Sequence, residues 1–198
     1  PTMGALHKGH LSLIKNSLAD NQITIVSIFV NPTQFNNAED LEKYPRTLEI
    51  DTKKIEAVSK EVIIFAPSVE DIYQGNTVSA SFNFDGLENQ MEGAHRPGHF
   101  DGVGTIVKRL FEIANPTNAY FGEKDFQQLA IIRHMVTTSS LAQQYTNLQI
   151  IGCPIVREDS GLALSSRNQR LSETEKQTAV AISQTLFASL EWAKAASV

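Results

Sequence analysis

Apolar positions change their period repeatedly along this chain, and each change marks an element. Leu11, Ile14 and Leu18 recur at three and four positions, which predicts a helix opening just after His10. Residues 23–30 (ITIVSIFV) are a nearly unbroken β-branched run, the pattern of a strand covered on both faces, and Asn31-Pro32 ends it in a loop. Helix formers over residues 48–60 turn Ile55 and Val58 inward, and residues 62–65 (VIIF) form a second short buried strand stopped by Pro67. Val78, Ala80, Phe82 and Phe84 alternate with polar residues, so a half-exposed strand turning at Asp85-Gly86 is expected there. Val103, Val107, Leu110, Phe111 and Ala114 outline a helix closed by Asn115-Pro116. A weaker strand over 118–121 precedes Gly122, and Leu129, Ile132 and Val136 mark a helix from about Phe126. A strand over 148–151 ends before Pro154. The last helix opens at Ser172-Glu173-Thr174-Glu175, a capping-box spacing, with Ala179, Ile182, Leu186 and Leu190 as its inward face.

Strands alternating with helices predict an α/β fold with a doubly wound, mostly parallel sheet. Such sheets bind ligands beyond the strand C-terminal ends, so chemistry is expected in the loops around 3–10, 31–34, 122–128 and 161–168. The expected domain boundary lies near Gly152 to Pro154, giving 1–152 as the nucleotide-binding part and 153–198 as the start of a smaller C-terminal domain. Pro1 enters a glycine turn with no strand before it, whereas phosphate-binding turns follow a buried strand. A missing first strand is therefore expected, and the pattern at 192–198 also stops inside a helix.

Composition narrows the class. Hydrophobic residues make up 41% and charged residues 20%, which excludes a largely disordered chain. The formal net charge of −5 argues against a general nucleic-acid binder. One cysteine, Cys153, excludes an internal disulfide framework and fits a reducing, cytoplasmic setting. No apolar run reaches the ~18–20 residues that span a bilayer.

Candidate chemistry begins at His7-Lys8-Gly9-His10. Two imidazoles at a helix start sit where backbone N–H groups and the helix dipole favour an anion, and they can stabilise charge on a leaving pyrophosphate. Surface histidines in a polar turn and a metal pair are the alternatives; for zinc, the H-E-x-x-H spacing and a third ligand are missing. Gly122-Glu123-Lys124-Asp125 follows a strand, so Lys124 can meet phosphate and Asp125 ribose hydroxyls, although such turns are commonly just solvated. Either Gln127 or Gln128 can face the crevice, and either can lie on the helix surface. Leu164-Ser165-Ser166-Arg167-Asn168 suits a triphosphate clamp, or is simply the polar loop before a helix. Arg96 and His99 flank a Pro-Gly turn, and Asn31 and Gln34 sit just past a buried strand.

Taken together, PTMGALHKGH, FVNPTQF, YPRT, EGAHRPGHFDGV, YFGEKDFQQL and REDSGLALSSRN resemble the pantoate–β-alanine ligase family, in the family's order and over most of residues 1–170. The resemblance implies a Rossmann-like fold of the H-x-G-H nucleotidyltransferase type. It implies that pantoate is adenylated by ATP with Mg²⁺, and that β-alanine then displaces AMP to give pantothenate. It also implies that Met3, Gly4, Ala5, Leu6, His7, Lys8, Gly9 and His10 line the ATP site, with His10 as the assigned proton donor. By the same motifs Gly122, Glu123, Lys124 and Asp125 take the nucleotide, Val156 offers backbone contacts to adenine, and Leu164, Ser165, Ser166 and Arg167 close over the triphosphate. His7, Lys124 and Arg167 join His10 as catalytic residues. Gln34 and Gln128 hold pantoate; Gln34, Arg96, His99 and Asn31 serve β-alanine. A homodimer is implied, the Mg²⁺ ligands are not identified, and zinc, flavin, NAD, nucleic acid and membrane are not expected.

This chain departs from the family at Leu164, where many members carry Met, and at Thr33, where FVNPMQF is common. Both leave the polar groups intact. Residues 137–147 look longer than in relatives and are expected to form a surface loop. Two other readings use the same residues. A different H-x-G-H nucleotidyltransferase acting on a phosphorylated acceptor needs basic residues where Gln34 and Gln128 stand. An inactive nucleotide-binding fragment sits poorly with intact His7, His10, Lys124 and Arg167.

Overall fold

Short strands, each handing over to a helix, place every functional loop at one end of the fold. The computed structural model describes residues 1–138 and 142–196. In chain order the elements are α1 (Lys8–Asp20), β1 (Ile25–Ser27), α2 (Ala38–Glu42), α3 (Leu48–Glu56), β2 (Ile63–Phe65) and α4 (Val69–Tyr73). There follow α5 (Met91–His95), α6 (His99–Ala114), β3 (Asn118–Gly122), α7 (Phe126–Thr137), β4 (Gln149–Cys153) and α8 (Glu173–Ala196).

The strands pair in parallel, β1 with β2 from Ile25–Ile63 to Ser27–Phe65, and β3 with β4 from Asn118–Gln149 to Gly122–Cys153. Thr2 adds a single parallel bridge to Ile28, with its N–H donating to Ser27 O at 2.9 Å. Between the two pairs lies a slot of about 610 Å³, edged by residues of β1 and β3 and floored by α1 and α6. One apolar cluster joins Leu6, Ile14, Val26, Ile55 and Val62 and so packs α1 and α3 on the first pair. A larger one centres on α6 and α7, where Val103, Phe111, Ile131 and Ile132 are buried.

Three expectations need correction. The run 23–30 is covered on both faces only in its later half, where Val26 joins the first cluster and Phe29 the second; at its start Ile23 and Ile25 stay exposed, as does Ile63, the partner of Ile25. Residues 78–84 are extended yet form no strand. Their N–H groups find side chains of α6 instead of a neighbouring strand, Ala80 donating to Thr105 Oγ1 at 2.8 Å and Phe82 to Asp101 Oδ1 at 2.9 Å. The alternation holds only at its end: Phe84 is buried and stacks on Phe82, whereas Val78 and Ala80 are exposed.

Helix α8 is the third case. Its reciprocal cap forms, with Ser172 N–H donating to Glu175 at 2.8 Å and Glu175 N–H to Ser172 Oγ at 3.3 Å. The buried side, however, is Val180 and Ser183, against the Gly161 loop; Ile182, Leu186 and Leu190 are exposed. Ala179 alone of the expected face is half-buried. Within the expected surface loop at 137–147, residues 139–141 lie outside the described residues, and Tyr145 is buried edge-on to Phe111. No helix among the described residues is long and apolar enough to cross a membrane.

Candidate active site

The His7–His10 turn explains its own spacing. His7 caps α1: its Nδ1 accepts from Gly9 N–H at 3.2 Å, while His10 Nδ1 accepts from His7 N–H at 3.2 Å. An N–H can only donate, so both Nδ1 atoms are acceptors and each neutral ring carries its proton on Nε2. The rings lie 4.0 Å apart at 41°. A β-carbon at Gly9 would lie 2.9 Å from His7 Cε1, so any larger residue there would push the capping ring aside. The anion site expected from bare N–H groups is therefore different in kind: imidazole Nδ1 atoms occupy the amides of His7 and Gly9, leaving Nε2–H groups as donors.

Both rings are held neutral. Burial, followed by positive charge on His7, the amino terminus, Lys124 and Lys54, pushes His10 down to about 3. His7 is lowered by burial, then by Lys124 and Lys54, with Asp125 opposing. A helix N-terminus disfavours imidazolium in the same sense.

Both rings line a cavity of about 260 Å³ at the C-terminal ends of the strands. Lys124 enters from the turn between β3 and α7, its Nζ 2.9 Å from Asp125 Oδ1. From the other side comes the turn after β1. Asn31, 1% exposed, donates to Gln34 Oε1 at 3.2 Å and to Gly102 O at 3.1 Å, and accepts from Tyr73 OH at 2.6 Å. Asn31 thus orients Gln34, whose Nε2 lies 3.1 Å from Met3 Sδ. The Gln34 carbonyl accepts from Arg96 at 3.1 Å and lies 2.8 Å from His99 Nδ1. A carbonyl cannot donate, so Nδ1 of His99 carries the proton and Nε2 of the neutral ring can accept one. Burial lowers the affinity of His99 for a second proton, opposed by its bond to Gln34. Arg96 is also paired with Glu92.

The two adjacent glutamines separate cleanly. Gln127 is buried and structural, donating to Leu87 O and Gln90 O at 2.8 and 2.7 Å and accepting from Glu92 N–H. Gln128 lines the cavity. Gly122, Val156, Leu164, Ser165 and Arg167 line it too, the Val156 carbonyl already accepting from Leu164 N–H at 3.0 Å. Arg167 is held at the rim by Asp40 of α2, 2.9 Å away, and lies over the Tyr44 ring. Arg170 binds the other oxygen of Asp40 at 2.8 Å. Ser166 also borders the cavity, but its hydroxyl donates to Ala5 O at 3.0 Å.

Some predicted site residues do not face the cavity. Gly4, Ala5 and Leu6 are buried beneath it, and Lys8 and Glu123 are exposed outside it. Tyr44, which does line it and is only 5% exposed, has no sequence signal of its own beyond its place in YPRT. Asp51 and Lys54 carry no sequence signal beyond helix propensity. Among the described residues no group of three His, Cys, Asp or Glu side chains can hold a metal.

Parallel strand–helix units with paired imidazoles at one helix start and a lysine at another define a Rossmann-like fold of the H-x-G-H nucleotidyltransferase type. Comparison with known proteins is more specific. The profile of the family described as Pantoate-beta-alanine ligase matches residues 1–197, and the chain belongs to that family. It is 64% identical over 186 residues to the pantothenate synthetase of Flavobacterium psychrophilum, covering 94% of this chain and 64% of that one. The chain therefore spans somewhat under two thirds of that relative's length. The pantothenate synthetase structure from Thermus thermophilus superposes with a TM-score of 0.90 at 42% identity, over 99% of this chain and 69% of that one. A pantoate-beta-alanine ligase from Francisella tularensis, complexed with beta-gamma ATP and beta-alanine, gives 0.84 at 44% identity, over 93% and 68%.

Proposed function

We propose that this chain carries the adenylating site of a pantothenate synthetase, joining pantoate to β-alanine with ATP. The observation that carries this reading is one cavity with two chemistries. Its phosphate end has the His7 and His10 rings and Lys124; its acceptor end has the neutral amides Gln34 and Gln128. Amides suit a small hydroxy acid, whereas a phosphorylated acceptor calls for fixed cations.

In this reading pantoate's carboxylate oxygen attacks the α-phosphorus of ATP, the bond to the β-phosphate oxygen breaks, and pyrophosphate leaves. The Nε2–H groups of His7 and His10, with Lys124, donate to the charge that builds on the phosphates. His10 acts as a neutral hydrogen-bond donor, since a ring protonating only at about 3 is not an imidazolium at neutral pH. Arg167 joins the triphosphate by leaving Asp40, and Asp125 takes ribose. Val156 meets adenine through its backbone. The amine of β-alanine then attacks the acyl carbon and AMP leaves. Gln34, Arg96 and His99 border that acceptor end, with Asn31 behind Gln34. Mg²⁺ bound with the nucleotide would neutralise phosphate charge beside Lys124 and the Nε2–H groups of His7 and His10.

The unit 1–152, ending within β4, forms the nucleotide-binding part in this reading, and 153–198 begins a smaller lid domain. A cytoplasmic homodimer accompanies it, symmetric pairs being the commonest assembly of soluble chains. Substrate omission tests the proposal. Pyrophosphate release is expected to require pantoate but not β-alanine, and AMP release to require both. Pyrophosphate release indifferent to pantoate would overturn the assignment.

A further inference from the structure

The turn that delivers His7 and His10 to the cavity has an unusual backbone. Gly4 and Ala5 both have positive φ, 84° and 51°, so two successive residues occupy the left-handed region, one of them with a β-carbon. This conformation turns the N–H groups of Ala5 and Leu6 in one direction, away from the cavity. Both meet a single carboxylate. Ala5 N–H donates to Asp51 Oδ2 at 2.8 Å and Leu6 N–H to Asp51 Oδ1 at 2.7 Å. Thr47 Oγ1, one turn before Asp51, donates to Oδ2 at 3.0 Å. Asp51 is fully buried, and no arginine or lysine is bonded to it among the described residues. A carboxylate so placed is retained at a desolvation cost, and here backbone amides take the place of water.

The carbonyls of the same turn are held as well. Lys54, one turn further along α3, donates to Leu6 O at 2.6 Å, and Ser166 donates to Ala5 O at 3.0 Å. Helix α3 therefore grips the turn by its amides and one carbonyl. Leu6 leads directly into His7, whose N–H sets the tautomer of His10.

We infer that Asp51 is a positioning residue: its two oxygens fix residues 4–6 and thereby aim the His7 and His10 Nε2–H groups into the cavity. The kinetic consequence rests on the adenylation reading given above; the geometric claim does not. In Asp51→Asn the side chain presents one acceptor and one donor to two N–H donors, so one bond is replaced by a donor facing a donor.

Long-range ¹H–¹⁵N NMR of the histidine rings in the folded enzyme is the test, alongside pantoate-dependent pyrophosphate release. Wild type is expected to show His7 and His10 as neutral rings protonated on Nε2. Asp51→Asn is expected to show mixed tautomers at His10 and a roughly 10²-fold lower kcat, the scale of losing one well-aimed donor. Thr47→Val, which removes the hydroxyl that steadies Oδ2 and so loosens its bond to Ala5 N–H, is expected to move both readouts part of the way. A folded Asp51→Asn enzyme with wild-type ring spectra and kcat would overturn the inference. Where Asp51→Asn does not fold, unchanged spectra and rate in Thr47→Val overturn it. Should wild type release no pyrophosphate on addition of pantoate, the reaction assignment fails, while the ring spectra still decide the role of Asp51.

Discussion

At the scale of single residues, the site depends on two histidines that stay neutral. In the unfolded chain the His10 ring takes a proton near its ordinary value of 6.5; in the fold it does so only at about 3. Below 6.5 the unfolded state therefore binds more protons, and the ring's contribution lowers stability as pH falls toward about 3. His10→Gln is expected to flatten that part of the stability–pH curve, as measured by urea unfolding. The same neutrality governs rate. Adenylation in the wild type is expected to hold steady from about pH 6 to about pH 8.5, because no imidazolium is lost in that window. His10→Ala is expected to be about 10²–10³-fold slower throughout. A wild-type rate that declines tenfold per pH unit above 6.5 would make His10 a proton donor after all. The pairing of rings is visible in H-x-G-H. Its reciprocal capping is not, because that depends on His7 folding over Gly9. Gln127 and Gln128 show the limit more sharply: nothing in the dipeptide says that the first meets Leu87 and Gln90 carbonyls and the second the cavity.

At the scale of elements, helix α6 sets the acceptor end of the site. Gly102 lies under the turn at residues 32–34 so closely that a β-carbon would sit 2.4 Å from Thr33 O and 2.7 Å from Gln34 Cα. Those are backbone atoms and cannot rotate away. Gly102→Ala is expected to cost about 1–3 kcal/mol of stability, the usual scale of overpacking. It is also expected to raise KM for pantoate more than KM for ATP, since the displaced residue is Gln34. Equal changes in the two KM values would contradict that placement. Strongly periodic elements are legible in the sequence: α6 and α7 lie where the apolar spacing puts them, β2, β3 and β4 fall within two residues, α1 opens at Lys8 rather than after His10, and α3 ends at Glu56 rather than at residue 60. Residues 78–84 mislead because alternation reports which side chains are buried, not what satisfies the backbone. Thr105 and Asp101 satisfy it from a helix, 25 and 19 residues away in sequence. Helix α8 misleads because its apolar stripe is a local property, whereas burial depends on what stands beside it.

At the scale of the whole molecule, distant segments meet because parallel strands send their C-terminal ends the same way. His7, Gln34, Arg96, Lys124, Gln128 and Arg167, from five separate segments, share one cavity, and the alternation of strands and helices is enough to place most of those loops there. Spacing along the chain holds no sign of Asp51, because its partners are two amides 45 and 46 residues away. The cavity is proposed to join the carboxylate of pantoate to the α-phosphorus of ATP. Pantoate labelled with ¹⁸O in its carboxylate tests this directly, with ATP and β-alanine supplied and the products read by mass spectrometry. One ¹⁸O atom is expected in each AMP formed and none in pyrophosphate. Unlabelled AMP, or label in inorganic phosphate beside ADP, would contradict the account.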